Sequence, residues 1–148
     1  MDELLVEFHR SAPCPVAELD AAQTALKVAL PADYRAFLKM SDGGEGFIGE
    51  DYLILWRASE LQPFNQDYEV STYASGLVGF GSNGGGEMFA FDVRFLPPPV
   101  VIVPFIGMSV EDALVVADNF TGLLRRMKRA NGSLFDPPPE PGGQPKSD

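Results

Sequence analysis

The 148-residue chain holds one cysteine, Cys14, one histidine, His9, and one tryptophan, Trp56. A single cysteine excludes an intramolecular disulfide framework and fits a reducing compartment. One cysteine with one histidine does not make the usual four-ligand zinc site, so no metal is expected. A thiol nucleophile needs a base beside it. His9 and Cys14 are near in sequence, but Pro13 and Pro15 interrupt the chain on either side of the thiol, and the proximity reads as chance. No Gly-Lys-Ser/Thr triplet is present, which excludes a P-loop. Long apolar runs are missing too. The longest is Val100 to Ile106, interrupted by Pro104, whereas a membrane-spanning helix needs about 20 apolar residues. Met1-Asp2-Glu3 is acidic where a secretory leader carries basic residues. The expectation from these absences is a soluble, cytoplasmic protein without a cofactor.

Positive charge is also scarce. Eleven Lys and Arg stand against 21 Asp and Glu, a net charge of −10. Four of the bases are bunched at Arg125, Arg126, Lys128 and Arg129, so the body before them is more acidic than the total suggests. Such a field repels nucleic acid and anionic membranes and attracts a basic partner. It also serves solubility, and composition does not separate the two roles. Asp42, Glu45, Glu50, Asp51, Glu60, Asp67 and Glu69 form the candidate partner-binding surface. As catalysts these acids fall short: hydrolysis by paired carboxyls needs two of them held across a cleft. Neighbours such as Asp42 and Glu45, or Glu50 and Asp51, do not specify that geometry. Their spacing is not that of an EF-hand loop. The basic cluster complements the dipole at the end of the last helix, and docking of an acidic partner is its other reading.

The most informative stretch that is present is Leu30 to Gly44, LPADYRAFLKMSDGG. Pro31 suits a first helical position, Tyr34, Phe37 and Leu38 share one helical face, and Gly43-Gly44 supplies a left-handed stop. Before it, Leu4, Leu5 and Phe8 give a weak helical face over Asp2 to Arg10, and a second helix runs from Pro15 to about Val28. After it, Glu45 to Asp51 reads as a glycine-punctuated loop and Tyr52 to Trp56 as a strand. Ser59 is a candidate cap for a short helix limited by Pro63, and Phe64 to Tyr73 carries no clear pattern. Gly76 to Phe80 and Glu87 to Asp92 pair as a hairpin, with Met88, Ala90 and Asp92 on one face and Phe89 and Phe91 on the other. The segment Gly79-Phe80-Gly81-Ser82-Asn83-Gly84 fits G-x-G-x-x-G. That motif needs a helix start next, and a strand pattern comes instead. Val100 to Val103 is a buried strand, and Glu111 to Val116 is a strand or the lead-in to a helix over Asn119 to Ala130. Helices, then strands, then a helix make an α+β domain with a largely antiparallel sheet. The domain spans 1–132. The proline- and glycine-rich remainder, 133–148, buries too little to order itself and is expected to be a disordered tail.

In this order the pieces resemble the SUKH superfamily, in its Smi/Knr-like branch. They are Leu30-Pro31, Tyr34, Phe37 and Leu38; Ser41-Asp42-Gly43-Gly44; the strand Leu53 to Trp56; Gly84-Gly85-Gly86; Phe89-Ala90-Phe91-Asp92; Val100 to Val103; and Asn119-Phe120 with Leu123-Leu124. Asp42 stands where the family pattern has an asparagine. The resemblance implies a sheet with helices packed around it. It implies a non-catalytic binding protein: an immunity protein that neutralises a cognate toxin, often a nuclease, or a regulator or scaffold of the Smi/Knr type acting through partner proteins. The acidic charge favours a basic toxin domain as the partner.

Overall fold

The computed structural model describes residues 2–129. The boundary at 132 and the tail assigned to 133–148 lie outside the described residues. The architecture is α+β: five helices and one sheet of seven strands, every adjacent pair antiparallel, in the order of the sequence.

The chain opens with a 3-10 turn, Asp2–Leu5, and a three-residue strand β1, Phe8–Arg10, where the apolar spacing suggests a helix. Tertiary pairing overrides that weak periodicity. β1 lies against β2, Gly44–Ile48, with Phe8 opposite Gly46. Gly46 lets β1 come this close, because a Cβ there would sit 2.5 Å from the Glu7 carbonyl oxygen. The same pairing turns the expected Glu45–Asp51 loop into a strand and a tight turn. Alternation along β2 was masked by its glycines, which read locally as loop residues.

Helix α1, Val16–Leu26, buries Leu19 and Ala22, and ends at Lys27 in the left-handed conformation. The Gln23 side chain then accepts the Leu30 N–H at 2.8 Å and fixes the corner before α2. Helix α2, Ala32–Leu38, starts one residue after Pro31, which is its N-cap rather than its first residue. It ends at Lys39 in right-handed backbone, so Gly43 and Gly44 are not its stop but the entry to β2.

Strand β3, Asp51–Leu55, leads to α3, Ala58–Asp67, whose N-cap is Arg57 rather than Ser59 and which runs through Pro63. The unassigned stretch after Phe64 is the end of α3 and a single-turn helix α4, Val70–Tyr73, joined through left-handed Glu69. Then come β4, Leu77–Ser82, and β5, Glu87–Asp92, the expected hairpin. Its turn is held by Asn83, whose side-chain oxygen accepts the N–H groups of Gly85 and Glu87. The G-x-G-x-x-G segment is therefore a strand and hairpin turn with no helix start behind it. β6 is Val100–Pro104; β7, Leu114–Ala117, comes after a 3-10 turn; α5, Phe120–Arg129, closes the described chain.

Both faces of the central strands are covered, as the continuous apolar run in β6 requires. On one face Phe80 and Phe91 meet Tyr34 of α2, Phe80 also meets Phe120 of α5, and Phe89 packs beside Phe80. The Tyr34 ring lies 5.1–5.3 Å from those of Phe80, Phe91 and Phe120. These are the separations that aromatic pairs favour. On the other face Met88 packs by Trp56, which stands edge-on to Phe64 of α3. Here the β4–β5 pairing shifts register between Gly79 and Gly81, and α3 lies beside β4. Asn65 donates to the Gly79 carbonyl at 2.9 Å and accepts its N–H at 2.8 Å. Among the described residues no helix is long and apolar enough to cross a membrane.

Candidate functional site

The seven candidate acids do not form one patch. Two of them are built into the framework. Asp42 sits in the corner Ser41–Gly44, between α2 and β2. Its N–H donates to Ala12 O at 2.8 Å, and its Oδ1 accepts the Ala58 N–H, the first of α3, at 2.8 Å. Glu60 folds back onto the Arg57 N–H at 2.9 Å and completes the same helix start. An acidic group is favoured there by the orphan N–H groups and the helix dipole. Asp51 is buried. Ser41, fully buried, accepts the Ser11 N–H and donates to Gly43 O. Gly43, at φ +76°, leaves no room: a Cβ would lie 2.6 Å from Leu55 O and 2.9 Å from Trp56 O.

The other four are exposed but dispersed. Glu50 is in the turn from β2 to β3, which rests on the end of α5 through Gly49. Asp67 and Glu69 lie at the far end of α3, about 15 Å from its start. Between them Tyr68 is 45% exposed, with its ring 4.5 Å from Phe105. Glu45 projects from β2 on the face away from Gly46 and Ile48, between His9 of β1 and Ile54 of β3.

Glu45 has company that sequence reasoning missed. Phe47 lies two residues along the same strand, on the same face, and is 50% exposed. Its ring meets Tyr52 edge-on at 5.0 Å, and the Tyr52 hydroxyl donates to Glu45 Oε2. That hydrogen bond to a carboxylate raises the Tyr52 pKa, so the phenol stays protonated as a donor. The result is an outward-facing surface of two aromatic rings and a carboxylate on a regular two-stranded ribbon. Its signal was the alternation Glu45-Gly46-Phe47-Ile48, visible only if the glycines are read as strand residues.

The basic cluster is carried by α5, whose end meets the β2–β3 turn at Gly49 and whose arginines face β7. Arg125, Arg126 and Arg129 of α5, with Val115, Asp118 and Asn119, line an open groove of about 530 Å³ beside β7. Arg126 donates to Val116 O at 2.7 Å, and Arg126, Lys128 and Arg129 occupy the last turn of α5, where cations complement the helix dipole.

Residues 13–126 match the SMI1 / KNR4 family (SUKH-1). The chain belongs to this family. In this SUKH-1 domain the match covers the corner Ser41–Gly44, the aromatic core and the Glu45–Phe47–Tyr52 surface, whereas β1 lies before it. A comparison with curated proteins gives no match.

The corner brings together one more group of side chains. Cys14, just ahead of α1, Glu18 in its first turn and Asp42 each offer a ligand atom, and the three atoms lie within 4.8 Å of one another. Cys14 is buried, Asp42 half-buried and Glu18 exposed. Burial first, then the carboxylates of Asp42 and Glu18, push the Cys14 thiol up to about 11, so it is protonated and not a nucleophile at neutral pH. His9, the one imidazole in this chain, is instead paired in β1 opposite Glu45.

Proposed function

We propose that this SUKH-1 domain works by binding a protein partner rather than by catalysis, as an immunity protein that neutralises a basic toxin domain, with a nuclease as the leading candidate. The observation that carries this reading is the exposed Glu45–Phe47–Tyr52 surface on a chain of net charge −10. Aromatic rings held on rigid strands make efficient interface anchors, because they bury large area at little entropic cost. A surrounding acidic field speeds encounter with a basic surface and suppresses the wrong partners. A partner that uses cationic side chains to grip phosphates would present the complementary field, and occupation of that groove would block its substrate.

The proposal is tested by co-expressing the domain with the toxin-like protein encoded beside its gene, then measuring complex formation and protection. Complex formation with nanomolar affinity, an association rate that falls steeply with salt, and loss of protection in Phe47→Ala are the expected results. No complex and no protection would overturn the reading for that pair. Salt-insensitive binding to an unrelated regulatory protein would replace it with the scaffold role. Purified protein turning over nuclease or hydrolase substrates, with the turnover abolished by a point substitution, would overturn the non-catalytic assignment.

A further inference from the structure

We propose that Cys14, Glu18 and Asp42 form a binding site for one thiophilic divalent cation such as zinc, with the Tyr34 hydroxyl supporting the ligands from the core side. The sequence alone argues against zinc, because it offers a single cysteine and a single histidine. Folding changes the donor set: the corner Ser41–Gly44 brings a carboxylate from beyond α2 to the thiol and carboxylate at the start of α1. One sulfur and two carboxylate oxygens are a ligand set that zinc accepts, with water as the fourth.

A cysteine among acids would not by itself mark a site. The independent observation is Tyr34. Its ring is fully buried, and among the described residues its hydroxyl is the one buried side-chain polar atom without a hydrogen-bond partner. A stranded donor of this kind costs about 1–3 kcal/mol, so it calls for a partner. The hydroxyl is near enough to Asp42 and Cys14 to feel their charge, and it is buried on the core side of them. A thiolate or carboxylate oxygen held on a metal would accept its proton in a hydrogen bond, as outer-shell donors commonly do at metal sites.

The remaining geometry agrees. The Ala58 N–H occupies Asp42 Oδ1, which fixes the carboxylate beside the Cys14 thiol. Zinc ligands in a tetrahedron stand about 3.5 Å apart, and the three atoms here lie within 4.8 Å of one another, so side-chain adjustment alone is needed. Glu18 is exposed on α1, which leaves it room to adjust and opens the site to solvent on one side. Binding converts the Cys14 thiol to a thiolate, forming the metal–sulfur bond and releasing one proton to solvent. The metal itself is neither oxidised nor reduced.

The test uses the full chain, reduced and metal-free, titrated with Co²⁺ as the spectroscopic probe and then with Zn²⁺. The expected result is one Co²⁺ per chain, with a thiolate-to-cobalt charge-transfer band that Zn²⁺ abolishes. Cys14→Ser should remove the band. Glu18→Gln, on the exposed side where folding is not at risk, should weaken binding at least tenfold. Asp42→Asn retains an acceptor for Ala58 and should weaken it similarly. Tyr34→Phe should keep the band and lower affinity several-fold, although it removes a buried unpaired group and should not reduce stability of the metal-free protein. Absence of a charge-transfer band at millimolar Co²⁺ would overturn the proposal. So would binding that is unchanged in Cys14→Ser and Glu18→Gln, which would place the metal elsewhere. Neither result depends on a protein partner, so the outcome is independent of the toxin-binding proposal.

Discussion

Asp42 and Glu45 are three residues apart, both acidic, and set in similar glycine-rich sequence, yet they belong to opposite kinds of structure. Asp42 is held by backbone groups from three places in the chain: its own N–H reaches Ala12, its carboxylate takes the Ala58 N–H, and its neighbour Gly43 lies under Leu55 and Trp56. Glu45 touches one phenol on a ribbon open to solvent. The contrast teaches that acidity in this chain is not one property. Where a carboxylate accepts a buried N–H it specifies the fold, and where it stands beside exposed rings it is free to meet another molecule.

The sharpest break of this contrast is at Gly43. Its positive φ and the 2.6 Å approach to Leu55 O predict that Gly43→Ala destabilises the domain by about 3–5 kcal/mol, seen as a lowered urea midpoint or loss of soluble protein. Next is Asp42→Ala, which strands the buried Ala58 N–H and should cost about 1–3 kcal/mol in chemical denaturation while leaving partner association rates close to the parent value. Phe47→Ala should do the reverse. Its effect on thermal stability should stay within about 0.5 kcal/mol, and partner affinity should fall at least tenfold, about 1.4 kcal/mol, by titration calorimetry. If Asp42→Ala alone abolished binding while Phe47→Ala did not, the assignment of the two regions would be exchanged.

The smallest effect concerns Asp92, at the end of β5. Arg94 donates two hydrogen bonds to its carboxylate, at 2.8 and 2.9 Å, and holds its pKa below the usual 3.8. A carboxylate depressed on folding contributes stability above its unfolded pKa and loses it as pH falls through the lower folded value. Arg94 is half exposed, so the contribution is small. Asp92→Asn should lower the melting temperature by at most a few degrees at neutral pH, with the difference from the parent protein closing below about pH 4.

The contrast between Asp42 and Glu45 also explains what could be read in advance. Tyr34, Phe37 and Leu38 announce a buried helix face because helical spacing is local, and Phe89 and Phe91 announce a strand for the same reason. β1 could not be read this way: its three residues become a strand only because β2 lies beside them, and Gly46 makes the space without advertising it. The acidic surface was legible as charge but not as arrangement. Nothing in the spacing of Asp42, Glu60 and Ala58 says that the two acids serve one helix start, because that depends on a contact 16 residues away. Phe47 was hidden by the glycines that flank it along the ribbon, and Cys14 by its distance from the carboxylate that folding places next to it.

The Asn65 amide has a mechanical consequence. Beyond the two residue pairs that join β3 to β4, this one side chain supplies both a donor and an acceptor to Gly79, the pair of bonds that an adjoining strand would offer. It acts as a dowel through helix and sheet. A partner that pulls on the exposed end of α3, at Tyr68 and Glu69, loads β4 directly, and α3 cannot slide along the sheet without shearing two hydrogen bonds at once.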